Sequence, residues 1–169
     1  MQAGFAIIST VIDLSQVLPS LQHVAREAGV IAQRARAAGL VKEQKTDYST
    51  VTNADREVET YLRKELALIV PDSVVWGEEF GHAFDGGSGL WAVDPIDGTS
   101  NFAAGSPLWG VSIALLTNGE LIAGAIELPD LGETYISGSG YGVMLNGKAL
   151  PNIPTGDIES RDLVGYCEA

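Results

Sequence analysis

The stretch Trp91-Ala92-Val93-Asp94-Pro95-Ile96-Asp97-Gly98-Thr99 carries the strand, turn and helix start from which the fold can be worked out. An apolar strand leads directly into two aspartates three positions apart, and Pro95 fixes the backbone between them. Gly98 permits a backbone angle that most residues avoid, so that a short helix can open at Thr99 with its free N–H groups directed back toward the aspartates. The sequence therefore places carboxylates beside an anion-binding turn.

The acidic residues of this region form a candidate site for divalent cations. Hard cations take several oxygen ligands in a fixed geometry: Asp94 could bridge two ions, Asp97 could bind one, and the Ile96 carbonyl could add a neutral ligand. Glu78 follows the short apolar strand that starts at Val74, and an adjacent strand would bring it beside Asp94. Its neighbour Glu79 is a candidate for indirect support of the ligands.

Each of these signals also has a purely structural interpretation. An isolated Asp-x-x-Asp is ordinarily a turn with a helix cap, and a Glu-Glu pair is ordinarily a solvated surface. The segment Thr52-Asn53-Ala54-Asp55 resembles a capping box, in which Asp55 would only satisfy backbone donors at a helix start. For Asp55 the structural and the catalytic interpretations are evenly balanced. For the combined Asp94–Thr99 and Glu78 pattern, the functional one is favoured.

The spacing of apolar residues predicts two helices followed by strands. One helix spans about Ser15 to Ala38 and stops at Gly39, and a second follows Thr52-Asn53 and ends before Pro71. Beyond residue 73 come short β-rich runs: Val74 to Trp76, Leu90 to Val93, Trp109 to Leu116, Leu121 to Glu127, Glu133 to Ser137 and Tyr141 to Leu145.

These elements predict an α+β fold in which the two N-terminal helices pack on a largely antiparallel sheet. Asn118-Gly119 is a strong hairpin signal between two of the strands. Consecutive hairpins make a meander, and the helices can cover one of its faces. With 169 residues and 46% hydrophobic content, the prediction is one domain over residues 1–169.

Composition limits the function classes. A formal charge of −12 repels nucleic-acid phosphates, so direct nucleic-acid binding is not expected. One cysteine, Cys167, and two separated histidines, His23 and His82, argue against a zinc site and favour oxygen-ligated magnesium, manganese or calcium. No apolar run has the length of a membrane span, so a cytoplasmic protein without membrane contact is predicted.

The quoted motif resembles the signature of the inositol monophosphatase family, a group of magnesium-dependent, lithium-sensitive phosphatases. The run Asp94 to Thr99 stands uninterrupted and is followed by Asn101-Phe102. Supporting matches are Gly77-Glu78-Glu79, Val51 to Asp55, Lys45, Gly105-Ser106-Pro107, Val111 to Leu115 and Asn146-Gly147. The resemblance covers roughly residues 15–150, the N-terminal portion of such proteins, and implies the same α+β half of their fold.

The resemblance implies a set of metal ligands. Glu78, Asp94 and the Ile96 carbonyl would hold a first Mg²⁺, and Asp94 and Asp97 a second, with Glu79 and Lys45 in supporting positions. Mn²⁺ is an alternative cofactor, and Ca²⁺ and Li⁺ are the expected inhibitors.

It also implies a role for the turn and for Asp55. The N–H groups of Gly98 and Thr99 would hold phosphate oxygens. Thr99 and Asp55 would form a hydroxyl–carboxylate pair that orients and deprotonates the attacking water, without a covalent intermediate. The expected substrate is a small phosphorylated alcohol such as an inositol monophosphate. Histidinol phosphate and fructose 1,6-bisphosphate, the substrates of other branches of the superfamily, remain alternatives.

The sequence departs from the resemblance after residue 150. Family members continue into a C-terminal α/β domain with a Trp-Asp-x-Ala-Ala-Gly-like motif, which completes the second metal site, and no such motif occurs in this chain. The expectation is therefore weak or absent turnover by these residues alone. A catalytically incomplete fragment or a non-catalytic interaction module is the alternative to an enzyme, and an exposed domain face favours homo-oligomers.

Overall fold

The N-terminal half of the chain contains two long helices. The computed structural model describes residues 12–44, 50–81 and 89–151. Helix α1 spans Leu14–Ala38, with the Asp13 side chain accepting from Ser15 N at its start and Gly39 at its end. Helix α2 spans Asn53–Ile69 and is capped by Thr52. Both helices turn an apolar stripe inward, as their spacing predicts.

Within the described ranges, the strands form two sheets. The small sheet pairs β1 (Lys42–Gln44) with β2 (Thr50–Thr52). The large sheet has seven strands in chain order, β3 to β9. Their bounds are Val74–Gly77, Leu90–Asp97, Gly110–Thr117, Glu120–Leu128, Glu133–Gly138, Gly142–Leu145 and Lys148–Ala149. A short helix, α3 (Thr99–Ala104), lies between β4 and β5.

The predicted architecture of helices on a largely antiparallel sheet is confirmed, with two differences. Strands β3 and β4 pair in parallel, whereas a meander of hairpins would pair them antiparallel. Strand β4 also continues through Asp97 instead of ending at Val93. The reason is a register shift between Asp94 and Asp97, which lets the strand absorb Pro95 without a ladder hydrogen bond from its nitrogen.

The core lies between the two helices and the inner face of the large sheet. Its fully buried large side chains include Trp91, Phe102, Leu21, Leu62, Leu66, Ile113 and Ile136. Because consecutive residues on a strand face opposite ways, β5 alternates buried and partly exposed positions along its length. No helix in the described ranges is long and apolar enough to cross a membrane.

Candidate active site

Glu78 and Asp94 are brought together by the parallel pairing of β3 and β4. In this register Gly77 stands opposite Val93, and the residues that follow them in the chain are Glu78 and Asp94. Parallel strands end at the same edge of a sheet, which places both carboxylates there. The predicted neighbourhood of Glu78 and Asp94 thus arises from the one parallel pair in the described sheet.

The irregular end of β4 sets the positions of the two aspartates. Asp94 pairs with Ser112 and Asp97 with Gly110, and the ladder is interrupted between them. Ile96 N donates to Asp94 Oδ1 at 3.2 Å, which fixes the Asp94 side chain against its own backbone. Asp94 is half-buried, whereas Asp97 and Glu78 are exposed. The site therefore has one sheltered carboxylate and two at its rim.

Burial and neighbouring negative charges both disfavour the ionised form of Asp94. Burial, followed by the negative charges of Glu78, Asp97 and Asp55, raises the pKa of Asp94 from 3.8 to about 7, against an opposing effect of the Ile96 hydrogen bond. Like charges gathered in a low-dielectric position disfavour ionisation unless a cation compensates them. Glu78, Asp97 and Asp55 therefore each lie within electrostatic range of Asp94.

The donor set fits a hard divalent cation by its chemistry. All the candidate side-chain ligands offer carboxylate oxygens, the type that Mg²⁺ and Mn²⁺ prefer. Within residues 12–44, 50–81 and 89–151, no three acid, histidine or cysteine side chains converge closely enough to enclose an ion. The fit therefore rests on the chemistry of the donor atoms and on the raised pKa of Asp94.

Asp55 combines the two interpretations that its sequence context left open. It lies buried in the first turn of α2, where Thr52 N and Thr52 Oγ1 donate to its Oδ2 at 2.8 Å and 2.6 Å, and this completes a capping box. Its other oxygen, Oδ1, accepts from Thr99 Oγ1 at 3.3 Å. One carboxylate oxygen thus caps the helix, and the other reaches the turn that follows β4.

The turn after β4 is held by Gly98 and Thr99. Gly98 has φ 83° and precedes α3, and a Cβ at this position would lie 3.1 Å from the Leu108 carbonyl oxygen, so both the angle and the space favour glycine. Thr99 Oγ1 lies 3.0 Å from the Ile96 carbonyl oxygen. The Thr99 hydroxyl therefore stands between two predicted site oxygens, one from Asp55 and one from Ile96.

A cluster of aromatic and charged side chains packs against α3 through Phe102. Phe102 of α3 meets Trp109 edge to face at 4.6 Å between ring centroids, and the Arg36 guanidinium lies over both rings at 5.0 Å and 5.3 Å. Asp130 accepts from Arg36 and, at 2.6 Å, from Trp109 Nε1. Among the residues that the structure describes, Arg36 Nη1 is buried without a hydrogen-bond acceptor, and the two rings supply the electron-rich surface that it faces.

The sequence analysis did not identify Glu59, an acidic residue of α2 that contacts the segment following β3. Its side chain is fully buried on α2, one helical turn after Asp55. The available signal was its position within the apolar stripe of Val58, Leu62 and Leu66, where a carboxylate is out of place. The signal was weakened by Arg63, because a Glu and an Arg four positions apart also describe an ordinary solvated helix face.

The structure brings most of the predicted residues to one edge of the sheet. Glu78, Asp94, Asp97, Asp55 and Thr99 gather there around the ends of β3 and β4 and the start of α2. The nearby Glu79 is partly exposed and donates its backbone N–H to Glu59 Oε2 at 2.8 Å. Lys45, the other predicted supporting residue, lies outside the described residues.

Known proteins resemble the chain in both sequence and fold. The histidinol-phosphatase of Chlorobaculum parvum is 43% identical over 106 residues, which cover 63% of this chain and 41% of that protein. The inositol monophosphatase of Dictyostelium discoideum is 35% identical over 143 residues, covering 82% and 53% respectively. The solved structure of the Thermotoga maritima IMPase matches with a TM-score of 0.72 at 31% identity, over 79% of this chain and 52% of that one.

These matches define the extent of the relationship. The chain spans about half the length of the curated relatives that it matches. The family model for the Inositol monophosphatase family covers residues 13–168 of this chain. Because that match takes in almost every residue, including the strand, the turn and both long helices, the chain belongs to the inositol monophosphatase family.

Proposed function

We propose that the chain supplies the metal-binding part of a magnesium-dependent phosphomonoesterase. The observation that carries the proposal is the half-buried Asp94, whose pKa is raised to about 7 by burial and by its acidic neighbours. Such an arrangement costs stability unless a cation compensates the charges, and strongly perturbed carboxylates are concentrated at functional sites.

The candidate ligands divide between two ion positions that share Asp94. Glu78, Asp94 and the Ile96 carbonyl would hold one Mg²⁺, and Asp94 and Asp97 would hold another at the open rim. Mn²⁺ offers the same oxygen preference. Bound there, divalent ions would supply neutralisation of phosphate charge and activation of water.

The chain's own residues would position and deprotonate the attacking water. Thr99 Oγ1 donates to Asp55 Oδ1, and Asp55 is buried. This pair can accept a proton from a water beside Thr99, while the turn at Gly98 and Thr99 offers backbone N–H groups to a phosphate. Positioning and charge neutralisation are what phosphoryl transfer chiefly requires.

The proposed substrate is a small phosphorylated alcohol. Support comes from relatives named for histidinol phosphate and for inositol monophosphate, which share a phosphomonoester but differ in the alcohol. The candidate site residues act on the phosphate end, which these esters share. We propose an inositol monophosphate first, with histidinol phosphate and fructose 1,6-bisphosphate as alternatives. Cytoplasmic location and self-association are part of the same proposal.

A second candidate is a half-site that binds metal without turnover. The observation that favours it is the exposure of Glu78 and Asp97, two of the three candidate carboxylate ligands. A site open to water on one side loses electrostatic strength, because solvent screens the remaining charges. This candidate differs from the first only in catalysis and predicts the same ligands.

Magnesium should stabilise the chain against unfolding and support phosphate release. The experiment measures thermal unfolding in chelator and in Mg²⁺, and phosphate release from inositol 1-phosphate, histidinol phosphate and fructose 1,6-bisphosphate. We expect Mg²⁺ at a hundredfold excess over its Kd to add about 2.7 kcal/mol to the free energy of unfolding. Asp97→Asn should weaken both effects, and Ca²⁺ and Li⁺ should inhibit release.

The outcomes separate the candidates. Release that depends on Mg²⁺ and on Asp97 supports the enzyme and names its substrate. Stabilisation by Mg²⁺ without release from any of the three esters supports the half-site. A protein whose unfolding is the same in chelator and in Mg²⁺ contradicts both.

A further inference from the structure

Glu59 accepts four hydrogen bonds in a fully buried position of α2. Arg63 Nε and Nη2 donate to its Oε1 at 2.9 Å and 2.7 Å. Glu79 N donates to Oε2 at 2.8 Å, and Phe80 N donates to Oε1 at 3.3 Å. Two of the four donors are therefore backbone groups of the segment that carries Glu78. A buried carboxylate saturated in this way is a rigid anchor, because each lost bond would leave a buried polar group unpaired.

Arg63 extends the anchor to both ends of the same segment. Its Nη1 donates to the Val75 carbonyl oxygen and its Nη2 to the Gly81 carbonyl oxygen, each at 2.8 Å. The guanidinium also lies 5.6 Å from the ring centroid of Phe80. The pair Glu59 and Arg63 thus spans the segment from β3 to Gly81, with Glu78 in its middle.

Gly77 shows how closely the anchor fits. A Cβ at this position would overlap the carboxylate carbon and both oxygens of Glu59. The φ angle of Gly77 is not positive, so any residue could adopt its backbone conformation. Glycine is required here because there is no space for a Cβ. The residue immediately before Glu78 is therefore glycine because the Glu59 carboxylate lies directly against it.

We propose that Glu59 is the positioning residue for the candidate metal ligand Glu78. It holds the segment Gly77–Gly81, named here the Glu78 loop, through backbone hydrogen bonds. The inference rests on the proposed metal site and adds to it a residue that touches neither metal nor substrate. The same helix presents Asp55 one turn earlier, so α2 sets the distance between the proton acceptor and the Glu78 loop.

The contribution expected is a pre-arranged ligand. Exposed Glu78 stands at the rim, where an unanchored loop would sample many positions and bind a cation only after being ordered. Groups that orient the ligands of a metal typically contribute about 10- to 100-fold to its affinity. Glu59 can make this contribution without any change in the ligands themselves.

The test measures Mn²⁺ binding by electron paramagnetic resonance and hydrogen exchange at Glu79 and Phe80 in matched variants. Glu59→Gln keeps the size but turns an amide donor toward existing donors, and Gly77→Ala pushes the same loop away without changing any charge. We expect both variants to bind Mn²⁺ about 10- to 100-fold more weakly and to lose protection at the two amides. Glu57→Gln, an exposed residue of the same helix, controls for charge.

Leu66→Ala separates positioning from simple destabilisation. Leu66 is fully buried on α2 and outside the Glu59 hydrogen bonds, so this variant should lower stability while binding Mn²⁺ like the wild type. The inference is overturned if Glu59→Gln and Gly77→Ala bind Mn²⁺ as well as Leu66→Ala does. It is equally overturned if the amides of Glu79 and Phe80 stay protected in both. A wild-type chain that takes up no Mn²⁺ overturns the proposed function, and this inference with it.

Discussion

Asp94→Asn should remove most of the stabilisation by magnesium and yet make the chain more stable in chelator. The wild type is expected to gain about 2.7 kcal/mol from Mg²⁺ at a hundredfold excess over Kd, and the variant almost none, because Asp94 is the carboxylate shared by both candidate ion positions. In chelator the variant no longer carries a charge that burial, Glu78 and Asp97 all disfavour. The order of the two proteins should therefore reverse between the two buffers.

The gain in chelator should depend on pH in a defined direction. Since folding raises the pKa of Asp94 from 3.8 to about 7, the stability associated with its protonated form is complete below pH 3.8 and is lost as the pH rises through about 7. Asp94→Asn should thus match the wild type near pH 4 and exceed it at pH 8 by about 1–2 kcal/mol, a figure reduced for the solvent that reaches a half-buried side chain.

Asp130→Asn provides the control of opposite sign. Burial alone would raise the pKa of Asp130, but hydrogen bonds from Trp109, Gln33 and Arg36 hold it below its usual value. This variant should be less stable than the wild type at pH 8 and should respond to Mg²⁺ normally. Chemical denaturation in EDTA and in Mg²⁺ at both pH values measures all three proteins. Equal responses of Asp94→Asn and Asp130→Asn would remove Asp94 from the metal site.

Asp55→Asn should lower metal-dependent phosphate release by about 10²–10⁴-fold while leaving Mg²⁺ binding intact. The amide retains an oxygen that can cap α2 or face Thr99, but it cannot take up a proton. Replacement of one carboxylate oxygen also places an N–H group beside Thr52 or Thr99, so a small loss of stability accompanies the loss of release. Steady-state release and Mg²⁺ titration of the same preparation separate the two effects.

Thr52→Ala distinguishes the capping role of Asp55 from the catalytic one. It removes the hydroxyl that donates to Asp55 Oδ2 and accepts from Ala54 N, while Thr99 and Asp55 Oδ1 keep their contact. Loss of an N-cap hydroxyl costs about 0.5–2 kcal/mol of stability, and release should stay close to that of the wild type. If Thr52→Ala reduced release as severely as Asp55→Asn, Asp55 would be a cap and not a proton acceptor.

Local patterns in the sequence were sufficient to predict much of the fold. The apolar spacing located α1 and α2 within one or two residues of their observed bounds, because both helices bury one continuous stripe. The strand, proline and glycine around Asp94 likewise located the turn, since each of these residues restricts its own backbone. Asp94, Asp97 and Thr99 are placed by these local restrictions alone.

Contacts between distant segments could not be predicted in the same way. The parallel pairing of β3 with β4 depends on the path of the intervening chain, which apolar alternation does not record. The ion pair of Arg36 with Asp130 joins residues 94 positions apart, and nothing in either neighbourhood points to the other. The role of Glu59 could not be predicted because two of its donors, the amides of Glu79 and Phe80, are backbone groups that carry no signal in the sequence.

The order of folding follows from the pairing of β3 with β4. The hairpin of β5 and β6 joins neighbouring segments and can form early, whereas β3–β4 pairing must close a longer loop and Thr99 must meet Asp55 across 44 positions. We therefore expect the acidic groups to meet late in folding, after the hairpin of β5 and β6 has formed, so that their repulsion does not oppose the early steps. A cation that holds them together stabilises contacts absent from the transition state, and stopped-flow measurements should find that Mg²⁺ slows unfolding while refolding keeps its rate.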